Sequence, residues 1–133
     1  MTARLFVDTS AWFAFANRVD PDHDSVSDVL KSHEGRLVTS NFIFDETVTL
    51  CAYRLGHDAA VRVGGLLLDP RSVDTIRAIP ADETEAWQLF RRRSDKGYSY
   101  TDCVSFAMMK RLHVDRAAAL DEDFRREGFE VLP

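Results

Sequence analysis

Cysteine and histidine are scarce in this chain, whose 133 residues include two cysteines and four histidines. Cys51 and Cys103 lie far apart, each within a helix-like pattern of apolar residues, and the histidines are scattered. Zinc sites need these residues at short, regular spacings, and disulfide-stabilised domains need many cysteines. The sequence therefore argues against both classes and predicts two buried thiols in a reducing compartment.

Long apolar runs are also missing. No stretch approaches the roughly 20 apolar residues of a membrane-spanning helix. The first residues lack the basic, apolar and small-residue order of a signal peptide. We therefore expect a cytoplasmic protein with no membrane partner.

The chain has no linker rich in proline, glycine or serine, no internal repeat and no low-complexity tract. A chain of 133 residues is long enough to bury a core without disulfides or structural metal. We predict that residues 1–133 form a single domain.

Net charge does not decide which partner this protein binds. The formal value of −5 argues against nucleic acid, but four of the negative charges belong to a site described below, and the remainder is close to neutral. Fourteen of the 17 basic residues are arginine, whose planar guanidinium suits phosphate. The run Arg91-Arg92-Arg93 is a candidate RNA-binding cluster, although a solvated helix face is the simpler explanation for such a run.

Short apolar segments alternate with longer stretches of helical periodicity. The predicted strands are residues 5–8, 36–39, 73–79, 117–120 and 129–132. The predicted helices are residues 9–16, 21–35, 41–55, 57–69, a helix capped by residues 82–85, then 100–112 and 122–127. Strands separated by helices predict an α/β fold of three α/β/α layers, with a mainly parallel sheet of four or five strands.

Four acids stand at the ends of apolar segments or within helical patterns. Asp8 closes the run Leu5-Phe6-Val7, and Asp121 closes Ala118-Ala119-Leu120. Glu46 and Asp102 lie in helix-like segments beside apolar residues. Ligands of parallel sheets sit beyond the carboxyl ends of the strands, where Asp8 and Asp121 are expected. The positions favour one shared site.

Each acid also has a structural explanation. Asp8 and Asp121 each precede a helix and are candidate N-caps. Asp102 fits a capping box with Ser99, although Ser99 or Thr101 can cap that helix alone and leave Asp102 free. Glu46 can face solvent. These explanations are weaker when the acids are considered together. Helix caps would be expected at both ends of a sheet, whereas Asp8 and Asp121 are both expected at the same end.

A convergence of four carboxylates requires a cation. Two charges about 4 Å apart repel by about 4 kcal/mol at an effective dielectric of 20. Oxygen ligands without histidine or cysteine select Mg²⁺ or Mn²⁺ over zinc. The acids therefore predict a divalent-metal site.

Four motifs, in order along nearly the whole chain, resemble those of one protein family. They are Val7-Asp8-Thr9-Ser10, Phe44-Asp45-Glu46-Thr47, the segment from Tyr98 to Cys103, and the segment from Ala119 to Phe124 with Gly128-Phe129 after it. No motif is specific alone, but their order and spacing resemble the PIN-domain ribonucleases and, within them, the VapC-type toxins of toxin–antitoxin pairs.

The resemblance implies a Mg²⁺-dependent endoribonuclease that hydrolyses RNA phosphodiester bonds, with Mn²⁺ as an alternative ion. Asp8 and Asp102 would be the principal metal ligands and Asp121 would complete the shell. Glu46 would bind metal or orient the attacking water. All four are the expected catalytic residues.

Several neighbours have supporting roles in this interpretation. Thr9, Ser10 and Thr101 carry hydroxyls that can position ligands or phosphate oxygens. Family members commonly carry a basic residue or histidine two places after the fourth acid, where this chain has Asp123. Asp123 would assist the site, compete with it, or only raise the local negative charge. The family resemblance selects Glu46 over its neighbour Asp45; periodicity does not.

The family also implies a partner, a small antitoxin protein that covers the acidic cleft, and pairing as homodimers. Candidate docking faces are the apolar surfaces of the first and third helices, although these are more simply core. They carry Trp12, Phe13, Ile43, Phe44 and Tyr53.

Other functions fit less well. A phosphoryl-accepting receiver needs paired acids after the first strand, an acceptor aspartate after the third and a nearby lysine, whereas the third strand here runs into Ile79-Pro80. A haloacid-dehalogenase-type phosphatase needs an aspartate at the position of Ser10. The remaining alternative is a non-catalytic PIN-fold module that binds RNA or protein.

Overall fold

The computed structural model describes residues 3–133. Its elements in chain order are β1 (Leu5–Val7), α1 (Thr9–Ala16), α2 (His23–Ser32), β2 (Leu37–Ser40), α3 (Asn41–Leu55), α4 (His57–Leu67), β3 (Val73–Ile76), α5 (Pro80–Arg92), α6 (Tyr100–Leu112), β4 (Arg116–Ala118), α7 (Asp123–Arg126) and β5 (Glu130–Leu132). The predicted sequence of strands and helices is confirmed, with ends that differ by a few residues.

The five strands form one sheet in the order β3-β2-β1-β4-β5, and every neighbouring pair is parallel. The predicted three-layer α/β/α fold with a parallel sheet is thereby confirmed. All carboxyl ends of the strands lie at one edge, here called the C-terminal edge. The chain leaves β1 towards β2 and leaves β4 towards β5, so the neighbours β1 and β4 form a topological switch point, where ligand crevices open.

The central strand of the sheet, β1, lies in the hydrophobic core. Leu5, Phe6 and Val7 are all fully buried, as expected for a strand covered by helices on both faces. The Phe106 ring of α6 packs edge-to-face on Phe124 with centroids 4.9 Å apart. Phe124 lies 6.3 Å from the Phe6 ring. These contacts attach α6 and α7 to the sheet beside the switch point.

Both cysteines are free and buried, as predicted. Burial raises the pKa of the Cys103 thiol to about 11, with further contributions from Asp102 and Glu127. The thiol is therefore protonated and behaves as a small apolar group. Among residues 3–133, no helix has the length and apolar character needed to cross a membrane.

The third strand ends earlier than predicted, at Ile76 rather than residue 79. Its partner β2 ends opposite at Ser40, so the residues beyond Ile76 have no strand to pair with. The Asn41 side chain instead accepts a hydrogen bond from the Ala78 N–H at 2.7 Å. This bond ties the β3–α5 loop to the start of α3.

Helix α5 also begins before its predicted cap, at Pro80. Proline suits the first helical position because it lacks an N–H that would be unpaired there. Asp82 caps the helix from its third position, where its Oδ2 accepts the Ile79 N–H at 2.9 Å.

Candidate active site

Asp8 follows β1 at the C-terminal edge and caps α1. Its Oδ2 accepts hydrogen bonds from the Ser10 N–H at 3.2 Å and the Ser10 hydroxyl at 2.7 Å. The side chain is buried, with 4% exposure. The N-cap role foreseen as a structural explanation is therefore present, but it uses one carboxylate oxygen only, since Oδ1 bonds to no described residue.

Glu46 lies on α3 and is held by Thr9, the residue directly after Asp8. The Thr9 hydroxyl donates to Glu46 Oε1 at 2.5 Å. The neighbouring Asp45 is exposed. Tertiary structure thus turns Glu46, and not Asp45, towards the start of α1.

Asp102 occupies the third position of α6 and forms a capping box with Ser99. The Ser99 N–H donates to Asp102 Oδ2, and the Asp102 N–H donates to Ser99 Oγ, both at 3.0 Å. The expectation that Asp102 would be free of the cap is wrong. The box fixes its rotamer through one oxygen.

The fourth acid, Asp121, follows β4 and is exposed. Its Oδ1 accepts the Asp123 N–H at 3.1 Å. Asp123 begins α7 and lies 3.5 Å from the guanidinium of Arg126. The basic or histidine residue expected two places after the fourth acid is therefore replaced by an acid that has its own cation.

The charges of these acids act on one another. Burial raises the pKa of Asp8 to about 7, the Ser10 bonds oppose the rise, and the charges of Asp102 and Asp121 add to it. Burial likewise raises the pKa of Asp102 to about 6; its bonds to Ser99 oppose the rise, and Asp121 and Asp123 add to it. Asp8, Asp102, Asp121 and Asp123 therefore occupy one neighbourhood, here called, together with Glu46, the acidic site.

The donor chemistry of the acidic site fits a hard divalent cation, because carboxylate oxygens are the ligands of Mg²⁺ and Mn²⁺. Within residues 3–133, however, no three acidic, histidine or cysteine side chains are already arranged around a point that could hold an ion. Mutual repulsion opposes such closeness when no cation is present. A cation held by three of these carboxylates would require their side chains to rotate towards one another.

The three candidate RNA-binding arginines differ in their surroundings. Arg93 pairs with the nearly buried Glu127 at 3.1 Å, and Arg92 lies 3.8 Å from Glu85. Arg91 is exposed and is paired with no carboxylate that the structure describes. Of the three, Arg91 alone offers an uncommitted guanidinium.

The predicted docking faces are mostly core. Trp12 and Ile43 are buried, and Phe13 and Phe44 pack partly against the core. Tyr53 is the exception, with 86% exposure.

Sequence reasoning missed an exposed aromatic pair on α5, Trp87 and Phe90. A signal was available. Ala86 and Leu89 of the same helix point to the core, and at about 100° per residue Trp87 points well away from the direction that these two share.

The sequence resembles that of known proteins over nearly its full length. The PIN domain family matches residues 5–130. The 23S rRNA-specific endonuclease VapC20 of Mycobacterium tuberculosis is 37% identical over 131 residues, which cover 97% of this chain and 98% of the relative. A VapC ribonuclease of Archaeoglobus fulgidus is 32% identical over 111 residues, 80% of this chain and 70% of that protein.

A solved structure shows the same fold. The crystal structure of M. tuberculosis VapC20, described as a Sarcin-Ricin loop cleaving toxin, superposes with a TM-score of 0.91 at 35% identity, covering 97% of this chain and 99% of that one. The match covers nearly the full length of both chains and shows that they share the fold. The chain belongs to the PIN-domain family and, within it, to the VapC-type toxins.

Proposed function

We propose that this protein is a Mg²⁺-dependent endoribonuclease that hydrolyses RNA phosphodiester bonds as the toxin of a toxin–antitoxin pair. Its relatives are named as ribonucleases, which supports a nuclease. The observation that carries the proposal is the buried Asp8 at the switch point, whose pKa is raised by burial and by two neighbouring acids. A buried carboxylate among like charges is the arrangement that a bound cation stabilises.

The chain's own residues would divide the work as follows. Asp8 and Asp102 would hold the ion, each through the oxygen that its cap leaves free, and Asp121 would add a third carboxylate. Thr9 donates to Oε1 of Glu46, and Oε2 would accept a proton from the attacking water. When bound, Mg²⁺ would lower the pKa of that water and stabilise charge on the phosphate.

Three neighbours would support the site. Ser10 would orient Asp8 through its hydroxyl. Thr101, in the first turn of α6, has a half-buried side chain beside Asp102 and would contact a phosphate oxygen. Asp123 would raise the negative charge near Asp121, while Arg126 offsets part of it.

The substrate proposed for this chain is ribosomal RNA. VapC20 is named as specific for 23S rRNA and as cleaving the Sarcin-Ricin loop, and it aligns with 97% of this chain. The proposal includes a cognate antitoxin protein, a homodimer as a further assembly and action in the cytoplasm.

The test is cleavage of purified ribosomes and of total RNA by the wild-type protein and by Asp8→Asn. We expect Mg²⁺ or Mn²⁺ to support discrete cuts in the large ribosomal RNA, and a chelator or Asp8→Asn to abolish them. Intact RNA with the wild-type protein and added metal would refute the proposal.

The alternative, a non-catalytic PIN-fold module that binds RNA or protein, has one observation in its favour. The described acids are not already arranged around an ion. Metal-independent RNA binding without cleavage would establish this alternative.

A further inference from the structure

Glu127, which directly follows α7, is a carboxylate that the proposed mechanism does not use. Its side chain is 5% exposed. Its Oε2 accepts hydrogen bonds from the Tyr98 hydroxyl at 2.9 Å and from Arg93 Nε at 3.1 Å. Burying a carboxylate costs free energy, and apolar side chains of similar volume often stabilise a fold as well as a buried ion pair does. The stability of the fold alone therefore does not explain why an acid stands here.

The first partner of Glu127, Tyr98, attaches the loop between α5 and α6 to the core. It is the only buried residue among residues 94–99, all of which the structure describes. Its ring packs edge-to-face on Phe106 with centroids 5.1 Å apart. The next residue, Ser99, forms the capping box with Asp102. Tyr98 therefore fixes the chain directly before the residue that orients Asp102.

Glu127 is also tied to the fourth acid, through α7. The Glu127 N–H donates to the Asp123 carbonyl oxygen at 3.2 Å. The Asp123 N–H in turn donates to Asp121 Oδ1 at 3.1 Å. Burial, the bond to Glu127 and the charges of Glu127 and Asp123 raise the pKa of Tyr98, so this turn of the chain lies close to Tyr98. Glu127 thus joins the segment that carries Asp121 to the segment that carries Asp102.

The connection adds no net charge beside the acidic site, because Glu127 and Arg93 form an ion pair. The other charged groups of the loop, Asp95 and Lys96, are exposed and lie 3.8 Å from each other. An effect of Glu127 on the acids is therefore one of position rather than of added charge.

We propose that Glu127 is a positioning residue of the acidic site, which holds Asp102 and Asp121 within reach of one divalent cation. The inference rests on the proposed metal-dependent ribonuclease function. Tyr98 connects Glu127 to the first turn of α6, and α7 connects it to Asp121. Groups that orient metal ligands from outside the site contribute about 10- to 100-fold to metal affinity or activity. Glu127 acts through its neighbours, so we expect an effect at the lower end of this range.

The competing role for Glu127 is stabilisation of the fold alone, with no effect on the metal ligands. Loss of a stabilising contact lowers the free energy of unfolding and leaves the metal affinity of the folded protein unchanged. Loss of a positioning contact raises the Kd for the metal ion in protein that is still folded. Metal binding therefore separates the two roles.

Two variants remove the connection. Tyr98→Phe deletes only the hydroxyl and keeps the ring that packs on Phe106. Glu127→Leu deletes both bonds and keeps the approximate volume of the side chain. Glu127→Gln is the conservative variant, because its amide oxygen still accepts from the Tyr98 hydroxyl. Glu130→Leu is the matched control, since this exposed acid pairs with Arg116 at 2.9 Å at the start of β5, at the opposite edge of the sheet from the acidic site.

The measurement is Mn²⁺ binding to the protein without RNA, followed by the electron paramagnetic resonance signal of free Mn²⁺. We expect Tyr98→Phe and Glu127→Leu each to raise the Kd for Mn²⁺ on the order of tenfold. Glu127→Gln should recover most of the affinity, and Glu130→Leu should bind Mn²⁺ as the wild-type protein does. The double variant of Tyr98→Phe and Glu127→Leu should bind no more weakly than Glu127→Leu, because both changes remove the same bond. Urea unfolding with chelator confirms that each variant is folded.

RNA cleavage gives a second readout. Tyr98→Phe and Glu127→Leu should need about tenfold more Mg²⁺ for half of the maximal rate, and saturating Mg²⁺ should restore that rate. If Glu127→Leu does not fold, Tyr98→Phe decides the question, because it removes a single oxygen.

Wild-type Mn²⁺ affinity in Tyr98→Phe and Glu127→Leu, with or without a loss of stability, would overturn the positioning role. A wild-type protein that binds no Mn²⁺ would overturn it together with the metal dependence of the proposed function. Weakened Mn²⁺ binding in both variants of a protein that cleaves no RNA would remove the proposed nuclease and leave the positioning role standing.

Discussion

The Ser10 hydroxyl oxygen accepts a hydrogen bond from the Leu120 backbone N–H at 3.0 Å. The same hydroxyl donates to Asp8 Oδ2 at 2.7 Å. One small side chain therefore joins the start of α1 to the segment that leads from β4 to Asp121. Because β1 and β4 are neighbours in the sheet, this link sets the relative position of two acids that are far apart in the sequence.

Ser10→Ala should weaken the proposed nuclease without unfolding it. Groups that orient metal ligands contribute about 10- to 100-fold in metal affinity or activity, while the lost hydrogen bonds cost about 1 kcal/mol of stability. The measurement is the cleavage rate against Mg²⁺ concentration. Ser25→Ala, an exposed serine of α2, is the control. A wild-type rate for Ser10→Ala at limiting Mg²⁺ would contradict the positioning role.

Glu46 and Asp45 provide a matched pair, since they are adjacent acids on one helix. Glu46→Gln should lower the cleavage rate about 100-fold or more, because an amide cannot accept the proton of the attacking water. Asp45→Asn should have little effect, because Asp45 is exposed and bonds to no described residue. Equal losses in single-turnover cleavage would show that the Thr9 bond does not identify the functional acid.

Asp8→Asn should stabilise the metal-free protein. The pKa of Asp8 is raised to about 7 by burial and like charges, so its ionised form above neutral pH opposes folding. An amide keeps an oxygen for the Ser10 bonds and carries no charge, and the gain should be on the order of 2 kcal/mol. Thermal unfolding with chelator above neutral pH measures this gain.

With Mg²⁺ added, the wild-type protein should become more stable to heat than Asp8→Asn. Mg²⁺ should raise the Tm of the wild-type protein more than that of Asp8→Asn, because ligands stabilise the state that binds them. A lower Tm for the metal-free variant would show that Asp8 is not electrostatically strained.

The Asp82–Arg111 pair predicts loss of stability in acid. Asp82 is 2% exposed and accepts from Arg111 Nε at 2.7 Å and from a terminal guanidinium nitrogen at 2.9 Å. Burial raises the pKa of Asp82, but the bonds from Arg111 and from the Ile79 N–H outweigh burial and leave the pKa lowered. The pair therefore stabilises the fold above the unfolded-state pKa of 3.8, and this contribution is lost as pH falls below it.

Urea unfolding of Arg111→Met tests this pair. The variant leaves a buried carboxylate without its cation and should lose about 2 kcal/mol at neutral pH, with a smaller difference in acid. Glu85→Gln removes an exposed partner of Arg92 on the same helix and should change stability by less than about 0.5 kcal/mol. A pH-independent difference for Arg111→Met would contradict the assignment.

The third strand shows where local pattern stops being sufficient. The alternation of residues 73–79 favoured a strand to residue 79, yet pairing ends at Ile76 because β2 ends at Ser40. The length of β3 is therefore limited by the neighbouring strand and by the Asn41 side chain, which accepts a hydrogen bond from the Ala78 N–H. A strand's length depends on its partner, and that partner is distant in the sequence.

Asp102 shows a similar limit at the candidate site. The spacing from Ser99 was compatible both with a capping box and with a free carboxylate. The structure shows the box and also the influence of Asp121 and Asp123 on the same group. One carboxylate caps a helix and belongs to the acidic site at once, because its two oxygens are separate acceptors.

By itself the sequence determined the order of strands and helices, the parallel sheet and the carboxylates that end β1 and β4, because periodicity, turn residues and segment length act locally. Only the tertiary structure decided that Glu46 and not Asp45 meets Thr9, and that Trp87 and Phe90 remain in solvent beside Tyr100. Those outcomes depend on how helices from distant parts of the chain pack against one sheet, and that packing sets which face of each helix is covered.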